Sequence, residues 1–362
     1  MAERMVIPFG PQHPSLVEPI HMQLEVEGDT VLGVRPAFGF VHRGLEKLAE
    51  KRDWRQNVYL VERTCGICSF IHSLGYCLAL EELLGVEVPP RADLLRVMWG
   101  ELHRIQSHYL WLGLLADAVG FESLFMQTWR NRERVLDLNE LTAGNRIVVS
   151  MCRVGGTARD LDAEMLDRVE ATLDAAESEF GPVEHTFRED GGIARRLVGL
   201  GRITREEALG LGAVGPVLRA TGEASDSRLL GYAGYGRLQV APVTQAGGDA
   251  YARLLVRLGE IRQSMALLRQ VLPLLRQEPG ETLVPVRKDP TAGEALSRVE
   301  QPRGELIYYV RATGGKLLDR VRIRTPTFAN LPALVHMVPG NEIGQVPALV
   351  LSIDPCVSCT ER

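Results

Sequence analysis

The chain has 362 residues, 45% hydrophobic, 24% charged and 6% aromatic, the composition of a globular protein able to bury one large core or two modest ones. Lys and Arg total 41 against 46 Asp and Glu, a formal charge of −5, which leaves no electrostatic footprint for nucleic acid. No apolar run approaches the ~18–20 residues of a membrane span, and the Met1-Ala2-Glu3-Arg4 start lacks the apolar core of a secretory signal, so a cytoplasmic protein is expected.

In chain order, residues 22–26 alternate apolar and polar, Glu27-Gly28-Asp29 turns, and residues 30–34 return, which predicts a small hairpin over about 21–36. From Ala92 onward, Leu95, Met98, Leu102, Ile105, Tyr109 and Leu112 recur at three- and four-residue steps, about six turns of helix. Comparable stripes cover 163–180 and 251–275; Pro273 loosens the last turn of the second, and Glu278-Pro279-Gly280 ends it. The Gly/Pro-rich, charged stretch 181–215 reads as connections around shorter helices. A second β region, about 305–325, runs through Leu306-Ile307-Tyr308-Tyr309-Val310, turns at Gly314-Gly315 and returns through Val321-Arg322-Ile323. No linker, low-complexity tract or repeat divides the chain. One domain over 1–362 is therefore expected, mainly α: a long-helix bundle, with its helical core at about 45–280, small peripheral β-sheets and a C-terminal segment at 352–362.

Six cysteines stand in this frame. Cys65 and Cys68 form one C-x-x-C, and Cys356 and Cys359 form another, three residues from the C-terminus. A chain of this size without a signal is not built on disulfides. Three readings remain. Paired cysteines commonly hold structural zinc, but usually ~15–20 residues apart; here 287 residues lie between Cys68 and Cys356, which excludes a local ribbon while leaving a long-range zinc site open. A redox dithiol needs only one pair, near a βαβ pattern that is not evident. The third reading is a four-thiolate centre drawn from both chain ends, whose soft sulfurs suit nickel, iron or zinc and can bridge two metals. Spacing alone does not choose the metal. The isolated Cys77, Cys152, His103 and His108 are expected to pack inside helices.

The surroundings of the pairs are more specific. Arg43-Gly44-Leu45-Glu46 precedes Arg63-Thr64-Cys65-Gly66-Ile67-Cys68, and His72 follows four residues later. On a helix beginning near Cys68, His72 faces the same way and can donate toward a metal-bound sulfur. The second pair sits in Asp354-Pro355-Cys356-Val357-Ser358-Cys359. These three motifs in this order resemble the large subunit of [NiFe] hydrogenases. Gly10-Pro11-Gln12-His13-Pro14, the stretch GAVGPVLRATGEASDSR at 212–228 and RIRTPTF at 322–328 extend the resemblance over nearly the whole chain. They match the energy-converting, membrane-associated branch (CO-linked and Ech-type) and the related quinone-site subunit of complex I. That complex I subunit lacks the metal-binding cysteines, so the four present here favour hydrogenase. Hydrogenases outside this branch commonly end D-P-C-x-x-C-x-x-H, with the histidine binding a nearby cation; Arg362 stands in that place here. Many relatives carry a cleavable extension beyond this point, and the sequence does not say whether one was removed.

The resemblance implies roles. Cys65, Cys68, Cys356 and Cys359 would bind nickel, with Cys68 and Cys359 bridging to an iron that carries CO and cyanide. Terminal Cys356 would take a proton as H2 splits. Glu18, in Val17-Glu18-Pro19, matches the family's proton-relay glutamate; otherwise it is an exposed loop acid. Glu46 would face the C-terminal segment near a cation such as magnesium, although Arg362 departs from that pattern; otherwise it pairs with Lys47 or Arg43 at the surface. Gln301-Pro302-Arg303-Gly304-Glu305 resembles the segment in which an arginine overhangs the metals: Arg303 supplies a fixed fork and Pro302 stiffens it, unless the motif is a plain turn. Asp354 would orient Arg303, and Asp117 is a second candidate for that duty or else a helix-end or solvent-facing acid. His13 would shape a loop facing a partner.

The implied activity is that of the catalytic subunit of an energy-converting, ferredoxin-linked hydrogenase, reducing protons with electrons from CO, formate or ferredoxin. No further cysteine sets are present for Fe–S clusters. Electrons would pass to a small subunit with a proximal [4Fe–4S] cluster and a ferredoxin-like Fe–S subunit. Membrane ion-translocating subunits would hold the chain on the cytoplasmic face. The rival readings are a quinone-linked complex I-like subunit and a zinc-held structural subunit.

Overall fold

The computed structural model describes residues 4–14 and 16–362; Met1–Glu3, read above for the absence of a signal, and Ser15 lie outside the described residues. Strands β1 (Arg4–Phe9), β2 (His21–Glu27) and β3 (Thr30–Ala37) form an antiparallel sheet in that order. The β2–β3 hairpin is the expected one. β1 is an addition: Met5 and Val6 are both exposed, so it lacks the alternation that announces a half-buried strand.

Helices α1 (Leu45–Ala49), α2 (Asn57–Val61), α3 (Ser69–Leu84), α4 (Pro90–Ala118) and α5 (Glu122–Ala143) follow. Pro90 opens α4, where its missing N–H costs nothing. The stripe from Ala92 to Leu112 is buried, but so is most of the rest of α4, because it runs through the middle of the bundle against α5 and α10. A short hairpin, β4 (Cys152–Arg153) and β5 (Gly156–Thr157), leads to α6 (Ala163–Glu189). Here the expectation of connecting segments from residue 181 is wrong: α6 continues through Gly181 and Pro182. Val183 and Phe187 prolong the buried row of Val169, Leu173, Ala176 and Phe180, and that burial offsets the hydrogen bond lost at proline.

Short helices α7 (Gly191–Leu197), α8 (Arg205–Gly210) and α9 (Gly215–Arg219) come next. Residues 221–249, expected within the helical core, instead hold two 3-10 turns, Ser227–Leu230 and Ala233–Arg237, in irregular backbone. Helix α10 (Ala250–Gln277) ends as its sequence predicted, with Pro273 in its last two turns and Glu278 just beyond. Strands β6 (Gly293–Gln301), β7 (Gly304–Ala312) and β8 (Leu318–Arg324) form a second antiparallel sheet. β6 escapes the pattern reading because Ser297, Glu300 and Gln301 are buried polar residues. Helices α11 (Pro326–Met337), α12 (Val346–Ser352) and α13 (Val357–Glu361) close the chain. The fold is mainly α with small peripheral sheets, as expected.

A buried charge cluster ties α4, α9, α10 and β6 together. Arg219 binds Glu260 and Glu300 at 2.7 Å each, and Glu260 also binds His108 Nε2 at 2.8 Å. Arg228 binds Asp226 at 2.7 Å and Glu101 at 3.2 Å. Arg104 donates to the carbonyls of Gln301 and Glu300 at 3.0 and 2.8 Å, clamping the strand just before Pro302-Arg303. These two are the whole turn of the β6–β7 hairpin, since Gln301 pairs with Gly304. Gly215 (φ 63°) presses on that turn: a Cβ there would lie 2.4 Å from the Arg303 carbonyl oxygen. Gly215→Ala should therefore cost about 2 kcal/mol, read as a lower urea midpoint with an unchanged slope.

Candidate metal centre

Both cysteine pairs sit at helix starts. After the 3-10 turn Glu62–Thr64, Cys65 is extended and Cys68 is the N-cap of α3. Cys356 is the N-cap of α13, its sulfur accepting the Cys359 N–H at 3.4 Å. Positive helix ends favour thiolates. Chain ends 291 residues apart meet here: Cys65 and Cys356 sulfurs are 3.2 Å apart, Cys68 and Cys359 sulfurs 3.3 Å, and all four lie within 4.8 Å of one another. Each cysteine is at most 4% exposed. Cys77 and Cys152 are buried elsewhere; burial lifts the Cys152 thiol to about 12 and the Cys77 thiol well above its ordinary range, so both pack as neutral groups.

Side chains from distant elements hold the second pair. Thr327 Oγ1 accepts the Cys356 N–H at 3.0 Å, and the Thr325 hydroxyl donates to the Cys359 carbonyl at 3.2 Å. Both threonines belong to the RIRTPTF stretch, whose duty the sequence did not disclose. His72 Nε2 lies 3.3 Å from the Cys359 sulfur and Nδ1 lies 2.7 Å from the Tyr308 hydroxyl. Burial pulls this imidazole down to about 4, so it is neutral. Burial also keeps Tyr308 protonated by raising it well above its ordinary value. Tyr308 therefore donates to Nδ1, and the Nε2–H points at the sulfur. Tyr308 looked only like a strand residue in the sequence.

Arg303, 3% exposed, is held by three contacts: Asp354 Oδ1 at 2.7 Å, the Asp354 carbonyl at 2.9 Å and Ser107 Oγ at 3.2 Å. Asp354 has a φ of 56°, an uncommon conformation for a residue with a Cβ, and both its carbonyl and its carboxylate reach the same guanidinium. Burial works against the Arg303 charge, but Asp354 and the sulfurs of Cys356, Cys68 and Cys65 more than offset it. Ser107 gave no sequence signal, being one polar residue within a helix. Pro302 is buried in the hairpin turn. Asp117 is not brought here. It is exposed near the end of α4, about 15 Å along the axis from Ser107, and a buried guanidinium needs its countercharge in contact.

Glu18 is half-buried and lies against the cysteines: its carboxylate accepts the N–H groups of Val357 and Ser358 and the Ser358 hydroxyl. It thus caps the helix that carries Cys359. Glu46 faces the C-terminal segment, accepting from Arg362 Nε at 2.9 Å, Ile323 N at 3.0 Å and Arg322 Nη1 at 3.1 Å. The alternative pairings do not form, since Lys47 binds Glu50 and Arg43 donates to the carbonyls of Arg63 and Thr64. The cation that Glu46 meets in the C-terminal segment is the Arg362 guanidinium. His103 and His108 are buried but not passive: His103 Nδ1 lies 3.3 Å from the Ile67 carbonyl, bracing the Cys65–Cys68 loop, and His108 belongs to the charge cluster. His13 stacks on Phe9 with ring centroids 4.3 Å apart.

The residues fit a thiophilic metal group. Hydrogen bonds from the other three cysteines bring Cys65 well below its ordinary value, while burial and the neighbouring sulfurs hold Cys356 and Cys359 well above theirs. Four sulfurs this close share little negative charge until a cation sits among them. The Gln301 side-chain amide and Asp354 Oδ2 are buried without a partner among the described residues, so the Arg303 hairpin offers polar groups beyond those the protein itself uses.

Comparison with known proteins agrees with this geometry. Residues 118–289 and 282–362 match the family described as respiratory-chain NADH dehydrogenase, 49 Kd subunit, and residues 43–117 match nickel-dependent hydrogenase. The chain is 41% identical to the carbon monoxide-induced hydrogenase of Rhodospirillum rubrum, covering 98% of this chain and 99% of that one. It is 38% identical to the membrane-bound hydrogenase subunit alpha of Pyrococcus furiosus, covering 98% and 87%. It is also 38% identical to an NADH-quinone oxidoreductase subunit of a Roseiflexus species, covering 99% and 93%. A chain of the membrane-bound sulfane sulfur reductase (MBS), an archaeal respiratory membrane complex, superposes with a TM-score of 0.94 at 31% identity, covering 99% and 98%.

Two outcomes follow from the carboxylates. Glu18→Ala strands the first N–H groups of α13 and should lower stability by about 1 kcal/mol, with a smaller loss for Glu18→Gln, whose carbonyl still accepts; thermal melts of both variants check this. Burial works to raise Glu46, but the bonds from Arg362 and Ile323 bring it net below its ordinary 4.5. A lowered carboxylate adds stability above the unfolded value and loses it as pH falls through the folded one. The stability gap between wild type and Glu46→Gln should therefore be full at pH 7 and shrink below pH 4.5, measured by urea titrations across that range.

Proposed function

We propose, from the premise that the chain belongs to the family of the respiratory-chain NADH dehydrogenase 49 kDa subunit and the nickel-dependent hydrogenases, that it is the catalytic subunit of an energy-converting hydrogenase, interconverting H2 with two protons and two electrons. The observation that carries this reading is the convergence of four buried sulfurs from opposite ends of the chain. Cys65, Cys68, Cys356 and Cys359 would hold a nickel–iron group whose iron would also carry CO and cyanide. When bound, that group supplies the redox and Lewis-acid chemistry at which H2 is made or split.

The chain's own residues supply orientation and proton handling. Asp354 and Ser107 fix the planar fork of Arg303, which presents a permanent cation toward the sulfurs and orients whatever polar ligand lies there. The Nε2–H of His72 points at the Cys359 sulfur and would orient it toward the metal group. Cys356, close to Glu18's anchorage on Val357 and Ser358, would be the base that takes the proton, and Glu18 would pass it outward.

Gly66, between the first two cysteines, is exposed, so electrons have a short exit at that loop to a small subunit with a [4Fe–4S] cluster, and from there to a ferredoxin-like subunit. No helix among the described residues is long and apolar enough to cross a membrane. Relatives named as membrane-bound or respiratory-complex subunits support attachment to ion-translocating partners on the cytoplasmic face, with 1–362 acting as one domain. The NADH-quinone oxidoreductase relatives favour a second reading, a quinone-linked subunit, against which the four gathered thiols weigh.

Metal analysis and infrared spectroscopy of the anaerobically purified complex test the reading. Nickel and iron together with CO and cyanide bands are expected; zinc alone, or no metal, sinks it. Arg303→Lys should keep the metals and lower H2 turnover about 100-fold, because lysine has no planar fork. Near-normal turnover in that variant removes the role of Arg303.

A further inference from the structure

The chain has only four lysines, Lys47, Lys51, Lys288 and Lys316, and the fold gathers them on one face. The Trp54 N–H donates to the Lys316 carbonyl at 3.0 Å, and Asp53 bridges to Leu317, which fastens the α1–α2 segment to the β7–β8 turn. Arg55 binds Asp289 at 2.8 Å and reaches the Lys288 carbonyl. Segments 43–55, 287–289 and 311–322 thereby form a surface with eleven Lys and Arg against five Asp and Glu, on a chain of net charge −5. The acids are largely engaged already: Glu50 on Lys47 and Arg320, Asp289 on Arg55, Asp319 on Arg311, and Glu46 on Arg322 and Arg362. Lys51, Lys288 and Lys316 stand exposed beyond these pairs.

The surface is concave. A cavity of about 490 Å³ is lined by Lys47, Lys51, Lys316 and Leu317. Lys47 also lines a second cavity of about 520 Å³, together with Arg320, Arg322, Phe38 and Phe328. The two make one trough from the β7–β8 turn to α13. Its lysines lie toward one end, with Glu50 and Asp319 beside them, and its exposed rings, Phe38 and Phe328, lie at the other among Arg320, Arg322 and Arg362; Phe328 is 50% exposed. The exposed rings Phe38 and Phe328 in the same trough offer nothing to a phosphate headgroup. A polypeptide bearing both carboxylates and apolar side chains matches both ends.

We propose that this trough seats an acidic, partly apolar segment of another subunit, with its carboxylates on Lys47, Lys51 and Lys316 and its apolar side chains on Phe38 and Phe328. The inference rests on the reading above for the existence of a partner, and adds where and by what chemistry one docks. Because the trough ends at Thr360 and Arg362, the bound segment covers the helix that carries Cys359.

Carbodiimide cross-linking of the intact complex tests this directly, since the reagent joins a lysine amine to a carboxylate in contact with it. Mass spectrometry should find Lys47, Lys51 or Lys316 joined to Asp or Glu of one other polypeptide. The triple variant Lys47→Glu, Lys51→Glu, Lys316→Glu should retain that polypeptide about tenfold less at roughly physiological salt while keeping its metal content. Should the triple variant misfold, Lys51→Gln with Lys316→Gln repeats the retention measurement. Cross-links confined to this chain, such as Lys47 to Glu50, or undiminished retention of the polypeptide, overturn the proposal. So does lysine-dependent binding to phosphatidylcholine–phosphatidylserine vesicles without an interprotein cross-link, which assigns the face to lipid. Metal content is read separately, so failure of the trough leaves the metal centre standing, and loss of metal in the wild type faults the catalytic reading instead.

Discussion

Four sulfurs from residues 65–68 and 356–359 must share a space less than 5 Å across inside a dry core. Everything near them serves that constraint. Four thiols are poor company for one another, because the first to ionise disfavours the next. The contact therefore depends on groups that fix the two segments independently. Cys68 caps α3, and Cys356 caps the α13 helix that carries Cys359, so three of the four cysteines are positioned by a helix start. Glu18, Thr325 and Thr327 then tie the second segment down by its backbone. The Arg303–Asp354 pair closes the arrangement, because one guanidinium grips both the carboxylate and the carbonyl of the residue two positions before Cys356.

The guanidinium is itself positioned from behind. Arg104 fixes the two carbonyls preceding the hairpin turn, and Glu300 beside them is anchored on Arg219. The cluster of Arg104, Arg219, Arg228, Glu101, Asp226, Glu260 and Glu300 contributes little net stability relative to a well-packed apolar core, since its charges had to be dehydrated. What it provides is position: breaking one link leaves an uncompensated buried charge, so alternative packings of α4, α9, α10 and β6 are disfavoured. The stretch GAVGPVLRATGEASDSR supplies three members of this cluster, Arg219, Asp226 and Arg228. It serves the centre without touching a cysteine.

The same scaffold is shared with proteins named as hydrogenases, as NADH-quinone oxidoreductase subunits and as a sulfane sulfur reductase. Fold alone therefore does not choose the chemistry. What distinguishes this chain is its donor set: soft sulfurs with a neutral imidazole on one of them and a fixed cation alongside, which suit a thiophilic metal. The basic trough beside α13 lies outside that donor set.

By itself the sequence determined the elements and residues whose signal is local. The α4 and α10 stripes, the β2–β3 hairpin and both C-x-x-C motifs are legible because period and spacing act over a few residues. The placement of Glu18, Arg303 and Asp354 beside the cysteines was expected only through family resemblance, and Asp117 shows the limit of that route. Only the tertiary structure decided the other partners: Ser107 on Arg303, Tyr308 behind His72, Thr325 and Thr327 under the second pair, Arg362 on Glu46. Likewise β6 and the far end of α6 exist because neighbours compensate for a buried glutamate or a mid-helix proline. A hydrogen bond between residues 51 or 236 positions apart, as in Arg303–Asp354 and His72–Tyr308, leaves no periodic trace, because the chain between them sets the meeting and neither residue's neighbours announce it.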